Sequence, residues 1–171
     1  MKKRMICVCL MLVLLSLSIV SCGPAYRTDV PSARLTGDVL SSSAPLATGD
    51  AYREVSDNYK NMYFDKWNDT AVVKEYSVVQ SESATDFNEA GAVVAVDEAH
   101  AEQVRQMVED YLSLMHDYYA DFLSSYNAVE VEKIESAECR VYGRTVVYAF
   151  LTRAEQKAYF EAVESTLKSG S

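Results

Sequence analysis

Between Glu98 and Tyr126 the apolar residues Ala101, Val104, Val108, Tyr111, Met115, Tyr118 and Phe122 recur at alternating spacings of three and four. That period lines one stripe of an α-helix, and Glu102, Arg105, Glu109, Asp110, Asp117 and Asp121 fall largely off it. Asp97 precedes the run and offers a side-chain acceptor to the open amides of the first turn. At 1.5 Å per residue the helix would exceed ~40 Å, so a break after Tyr119 is expected. On either side of this helix the period shortens. Thr70–Gln80 (TAVVKEYSVVQ) alternates Val, Tyr and Thr with polar residues, and Phe87–Val96 (FNEAGAVVAV) reads as a second strand across the polar turn at 81–86. Gly91 within it marks a bulge or a close packing neighbour. Ala137–Tyr142 and Thr145–Leu151 form two further strands, joined by a tight turn in which Gly143 takes the awkward backbone angle.

Thr152 and Glu155 have the spacing of a capping box, in which each side chain serves the other residue's backbone amide. It opens a last helix, to about Leu167, with Tyr159, Ala162, Val163 and Leu167 on one face. Ala128–Ser136 fits a helical turn or an extended piece equally well. Tyr52, Val55, Tyr59, Met62 and Tyr63 stand near helical spacing and predict a short helix within 50–64. The expected fold is therefore α+β: an antiparallel sheet of about four strands with two main helices packed on one face (ββαββα), preceded by a short N-terminal helical segment.

The first twenty-one residues have a different character. Lys2, Lys3 and Arg4 precede an almost continuously apolar stretch from Met5 to Val20, which ends in Ile19-Val20-Ser21-Cys22. The sixteen-residue stretch is short of the ~20 that cross a bilayer. It has the layout of a secretory signal, and the small residue before Cys22 makes that cysteine a lipidation site rather than part of a simple cleaved signal. Two or three acyl chains on one cysteine anchor stably without a second signal. The expected division is a lipoprotein signal peptide at 1–21, a lipidated cysteine and flexible tether at 22–46, and one α+β domain at 47–171. The tether assignment rests on Pro24, Pro31, Pro45 and Ser41-Ser42-Ser43. Its rival is docking of Arg34-Leu35 and Val39-Leu40 onto the domain as an extra strand. The resulting expectation is a protein held at the cell membrane by lipid, facing the extracytoplasmic side.

Cleavage before Cys22 leaves 150 residues and takes the formal charge from −9 to −12. So acidic a surface repels phosphate backbones, which excludes nucleic acid as a partner. Cys7 and Cys9 leave with the signal, so Cys139 is the one thiol remaining and no internal disulfide is expected.

Several segments carry a family resemblance: EYSVVQSES at 75–83, FNEAGAVVAVDEAHAEQVRQMVEDYL at 87–112, RVYGRTVVYAFL at 140–151 and the closing amphipathic helix. Over about residues 60–167 the chain resembles the uncharacterised family of small bacterial lipoproteins, mostly Gram-positive, known as domain of unknown function 4358. The chain departs from it at Gly143-Arg144-Thr145-Val146, where Thr replaces the usual Tyr. The resemblance implies the order of elements, the lipoprotein context and a single-membrane host. It brings no catalytic residue.

Candidate chemistry is sparse. His100 and His116 would stand about 24 Å apart along one helix, too far to share an ion. Cys139 has no second cysteine in CxxC spacing and shares a strand face with Val141, as a small core residue does. Glu109, Asp110, Asp117 and Asp121 lack calcium-loop spacing and read as a solvated helix face. No glycine-rich phosphate loop occurs, and no cofactor or metal is implied. Tyrosine is the compositional excess, with twelve against one Trp and five Phe. Tyr52, Tyr59, Tyr63, Tyr118, Tyr119 and Tyr126 form the candidate binding surface, since amphipathic rings favour interfaces. The bland alternative puts Tyr111, Tyr118, Tyr148 and Tyr159 in the core with hydroxyls at its edge. The leading expectation is a non-enzymatic module that binds an envelope protein or a small-molecule ligand. A cell-envelope hydrolase with a dispersed acidic site is the alternative, and a structural spacer comes third.

Overall fold

Five antiparallel strands, in the order β1-β2-β3-β5-β4, carry the fold in the computed structural model, which describes residues 25–46, 50–83, 86–120, 125 and 127–168. The strands are β1 (Tyr52–Glu54), β2 (Val73–Ser81), β3 (Glu89–Ala95), β4 (Glu138–Tyr142) and β5 (Thr145–Phe150). The α+β class and the antiparallel sheet are as expected. The fifth strand, β1, was not expected; it precedes the short helix expected within 50–64, which is α2 at Asp57–Tyr63, capped by Ser56.

The remaining helices are α3 (Ala101–Ala120), entered through a 3-10 turn at Glu98–His100, then α4 (Ala128–Glu135) and α5 (Arg153–Lys168). Their ends obey the local chemistry. Asp97 Oδ1 accepts from the His100 amide at 3.0 Å, and the Thr152 amide donates to Glu155 Oε2 at 3.0 Å in the capping box. Asn127 Oδ1 accepts from the amides of Val129 and Glu130 and so starts α4, which resolves the ambiguity at 128–136 in favour of helix. Gly143, at φ 59°, makes the β4–β5 turn.

Two expectations are corrected. The first is the placing of both main helices on one face. β3 and β5 are buried along their whole length, because each face of the sheet is covered. Val79, Ala90, Ala92, Val147 and Ala149 point to the layer containing α5, with Leu151, Phe160, Val163 and Leu167. Val78, Val93, Val146, Tyr148 and Phe150 point the other way, onto Val104, Val108, Tyr111 and Met115 of α3 and onto Phe64 and Trp67. With side chains alternating along a strand, the helices divide between the faces and the fold has three layers.

The second correction concerns the tether. Residues 32–43 form one continuous helix, α1, which is α-helical at Ser32–Arg34, π-helical at Leu35–Val39 and α-helical again at Leu40–Ser43. Val30, Leu35, Val39, Leu40 and Ala44 are buried beside α5, so this segment belongs to the domain, as a helix rather than a strand. Glu75 of β2 accepts the free first-turn amide of Ser32 at 3.1 Å, and Thr36 and Ser77 share a 2.7 Å hydroxyl contact. Low intrinsic helix propensity in this Ser/Gly/Pro-rich segment is overridden by burial of its apolar residues. The expected signal peptide at 1–21, Cys22 and Tyr126 lie outside the described residues. Among the described residues no helix is long and apolar enough to cross a membrane.

Candidate functional site

At the Glu89 end of the sheet a cavity of about 360 Å³ opens between α2, α3, α4 and the β2–β3 connection. Its size is within the range of small-molecule sites. Met115, Ile134, Phe150, Tyr59, Phe87 and Tyr119 supply apolar and aromatic walls. Gln80, Ser81, Glu82, Ser83, Asp86, Asn88 and Glu89 supply polar groups. A second hollow is lined by Ser136, Glu138, Arg140, Arg153, Gln156 and Lys157, with no apolar side chain.

The base of the first cavity is built around Glu89, a buried carboxyl at the first position of β3. Three elements aim a tyrosine at it. Tyr111 of α3 donates to Oε1 at 2.7 Å, Tyr148 of β5 donates to Oε1 at 2.8 Å, and Tyr59 of α2 is 3.0 Å from Oε2. Tyr59 and Tyr111 also bring their hydroxyls within 2.8 Å of each other. Gly91 makes the arrangement possible: a Cβ there would stand 2.0 Å from Cε1 of Tyr148, so only glycine lets that ring lie across the strand. Trp67 stacks on Phe64 at 4.2 Å and meets Tyr148 edge-on at 6.1 Å, closing the aromatic layer behind the cluster.

The hydrogen-bond pattern of this group depends on the charge of Glu89. With Glu89 ionised, three phenolic protons must serve four close oxygen contacts, and the Tyr59–Tyr111 contact is left with none. A neutral acid supplies the fourth. With Glu89 ionised, Tyr59 donates to Oε2 and Tyr111 and Tyr148 donate to Oε1; protonated on Oε2, Glu89 would instead donate to Tyr59 and free the Tyr59 proton for Tyr111. Burial favours the protonated form. It raises the Glu89 pKa against the opposing hydrogen bonds from Tyr111, Tyr148 and Tyr59, and it raises the tyrosines well above their ordinary value.

A second polar cluster pins the cavity's edge. Lys133 of α4, itself buried, contacts Asp86 Oδ1 at 2.6 Å and Glu130 Oε1 at 2.9 Å. Glu130 Oε2 accepts the Phe87 amide at 2.7 Å, and Asp86 Oδ1 accepts the Asn88 amide at 2.9 Å. Burial alone would lower the Lys133 pKa, but the two carboxylates outweigh it and hold it above its ordinary value. Phe87, fixed in this way, packs on Tyr119 with ring centroids 4.7 Å apart.

The candidate tyrosines are divided by the fold. Tyr59 and Tyr119 line the cavity, and Tyr63 packs 4.7 Å from Tyr59 behind it. Tyr52 sits on β1, packs against the α5-side layer, and donates to the Ala44 carbonyl at 2.9 Å. Tyr118 is 58% exposed, so its place in both the candidate surface and the alternative core list resolves to the surface of α3, away from the cavity lining. Tyr111, Tyr148 and Tyr159 are buried, as the core alternative has them, but their hydroxyls lie inside the core and not at its edge.

No family model, curated protein or solved structure matches the chain. The functional reading rests on the site alone.

Other sequence candidates lie elsewhere. His100 pairs with Asp97 at 2.7 Å at the helix start, and His116 is on the exposed side of α3, 3.7 Å from Asp117. Among the described residues no group of three or more His, Cys, Asp or Glu is arranged around a metal position. Cys139 packs at the edge of the α3-side layer, and burial pushes its thiol up to about 11, opposite to the shift a nucleophile needs. Glu89 itself was not a candidate from the sequence. Its signal is a lone carboxylate in an otherwise apolar central strand, two residues before a glycine.

Proposed function

We propose that this chain is a membrane-anchored, extracytoplasmic binding module that holds a small ligand in the cavity at the Glu89 end of the sheet. The observation that carries the reading is a pocket with aromatic and aliphatic walls on which a few held polar groups converge, the composition of small-molecule sites. The leader and Cys22 support the location. With Val30 already in the core, the seven residues after Cys22 extend at most about 25 Å, so the domain rides close to the bilayer.

A hydrolase draws on the same cavity, because Asp86 and Glu89 both line it. Both carboxyls are already committed, Asp86 to Lys133 and Glu89 to three tyrosines, and this favours binding over turnover.

The test is thermal unfolding of the purified full chain against amines, amino acids, sugars, metals and cell-wall fragments. A ligand at a hundred times its Kd adds about 2.7 kcal/mol and raises the midpoint by several degrees. Ser83→Trp, at the cavity rim, should abolish the shift while leaving the unliganded midpoint near wild type. A panel without any saturable shift overturns the reading. Cys22→Ser should move the protein from the membrane fraction to the soluble fraction.

A further inference from the structure

Three contacts fix the point at which the chain leaves the domain towards Cys22. The Arg27 amide donates to the Leu167 carbonyl, at the end of α5, at 2.9 Å. Arg144, in the β4–β5 turn, donates through Nη2 to the Thr28 carbonyl at 2.8 Å and through Nη1 to the Val96 carbonyl at 3.2 Å. The Tyr26 ring meets Tyr142 edge-on at 5.5 Å, and Lys168 Nζ stands 5.8 Å from its centre. Tyr26 is therefore seated at the β4–β5 turn. Cys22 is four residues before it, and four residues reach at most about 14 Å.

The cavity is at the other end of the same strands. Thr145 pairs with Val94 beside the turn, and Phe150 pairs with Glu89 beside the cavity. Five residues of strand separate these two levels by about 17 Å. Charge divides along the same axis. Around the exit stand the cations Arg27, Arg34, Arg144 and Lys168, with the carboxylates Asp29, Glu98 and Glu164. Arg144 is held by carbonyls and pairs with no carboxylate among the described residues. The β2–β3 connection and α4, which frame the cavity, hold Glu82, Asp86, Glu130, Glu132 and Glu135 against Lys133 and the Arg53 that reaches Glu82 from β1. An anionic bilayer surface attracts Lys and Arg within a Debye length and repels carboxylates.

We infer that the domain stands end-on at the bilayer, with Tyr26, the β4–β5 turn and the last turn of α5 against the lipid headgroups and the cavity facing away from them. The inference deepens the proposed reading and rests on its lipid anchor at Cys22. A short exit sets which end is near the membrane, and the acidity of the far end keeps the domain from lying flat. The cavity then takes its ligand from the aqueous phase and not from the bilayer.

The experiment uses the full-length lipoprotein, processed and acylated in a bacterial host and reconstituted into vesicles of phosphatidylcholine and phosphatidylglycerol. In a Cys139→Ala background, Ala99→Cys beside the turn and Val129→Cys on α4 each carry one bimane label; both native residues are exposed. Nitroxide on the lipid headgroups should quench the Ala99→Cys label severalfold more than the Val129→Cys label, and aqueous iodide should give the reverse order. A second pair at exposed positions, Ser165→Cys near the end of α5 and Glu135→Cys on α4, should repeat that order. Urea midpoints matching the unlabelled protein keep the comparison on the folded domain. In vesicle-bound protein, equal quenching within the pairs, or stronger headgroup quenching on α4, overturns the orientation and leaves the anchor intact. Protein that fails to float with the vesicles, as Cys22→Ser should, overturns the anchored reading and the inference with it.

Discussion

On the sheet face that carries α1 and α5, the packed side chains are mostly aliphatic: Leu35, Val39, Leu40, Val79, Val147, Leu151, Val163 and Leu167 surround small residues at Ala90, Ala92 and Ala149. On the face that carries α2 and α3, the same sheet presents Tyr148 and Phe150 to Phe64, Trp67 and Tyr111, with Glu89 at the edge of the layer. The first face closes on itself and buries separate hydroxyls, those of Tyr142 and Tyr159, without gathering them on a carboxyl. The second encloses hydroxyls and a carboxyl, and its layers part at one end to leave the cavity. Burying polar groups is unfavourable unless every one finds a partner. The comparison therefore locates the specialised chemistry of the molecule on the aromatic face and its structural base on the aliphatic one.

Four substitutions probe that division. Lys133→Met should have the largest effect, because it leaves Asp86 and Glu130 as neighbouring carboxylates without their buried cation. Breaking such a pair from one side costs about 3–5 kcal/mol, and the urea midpoint should fall accordingly. Leu35→Ala tests the aliphatic face and the docking of α1 together. Fully buried, Leu35 should cost about 2–5 kcal/mol on truncation; a loss near zero, as a free tether would give, would contradict the packing of residues 30–44. Gly91→Ala forces the Tyr148 ring away from its place. It should cost about 1–3 kcal/mol and change the Trp67 emission spectrum, whereas Ala92→Gly on the same strand should leave that spectrum alone.

Glu89→Gln should have the smallest effect on stability in acid, within about 1 kcal/mol, because the amide reproduces the neutral acid's hydrogen bonds. Its signature is the pH dependence. The unfolded chain releases the Glu89 proton above the ordinary value of 4.5 while the folded chain retains it. The stabilisation from this group is therefore fully present below that pH and is lost as the pH rises towards the raised folded value, at up to about 1.4 kcal/mol per pH unit. Wild type should lose stability relative to Glu89→Gln across that window. Denaturant melts of both proteins from pH 4 to pH 8 measure the difference, and parallel curves would mean that Glu89 is ionised in the folded protein.

Much of the fold was legible along the chain. The β2–β3 and β4–β5 pairs, the capping of α3 by Asp97, the Thr152–Glu155 capping box and the tight contact at Gly91 are local or periodic features, and each appears where its residues predict it. The site was legible in part. Tyr59 and Tyr119 were candidates because of their residue type, but nothing in their spacing joins them to Glu89, which is thirty positions from either. Tyr52 shares their chemistry and faces the other layer. The misread N-terminal segment has a similar cause: Pro31, Gly37 and the serines describe the preference of an isolated chain, whereas Leu35 and Leu40 respond to a hydrophobic surface made by α5 and the sheet.

The sequence by itself determined most of the elements from β2 onward and most of their ends, because capping, turn chemistry and hydrophobic period act over a few residues. Tertiary structure alone decided which face each helix covers, that residues 30–44 belong to the core, and that three tyrosines from three elements meet at one carboxyl. Those outcomes depend on burial shared between segments distant in the chain, a free energy that no single segment carries.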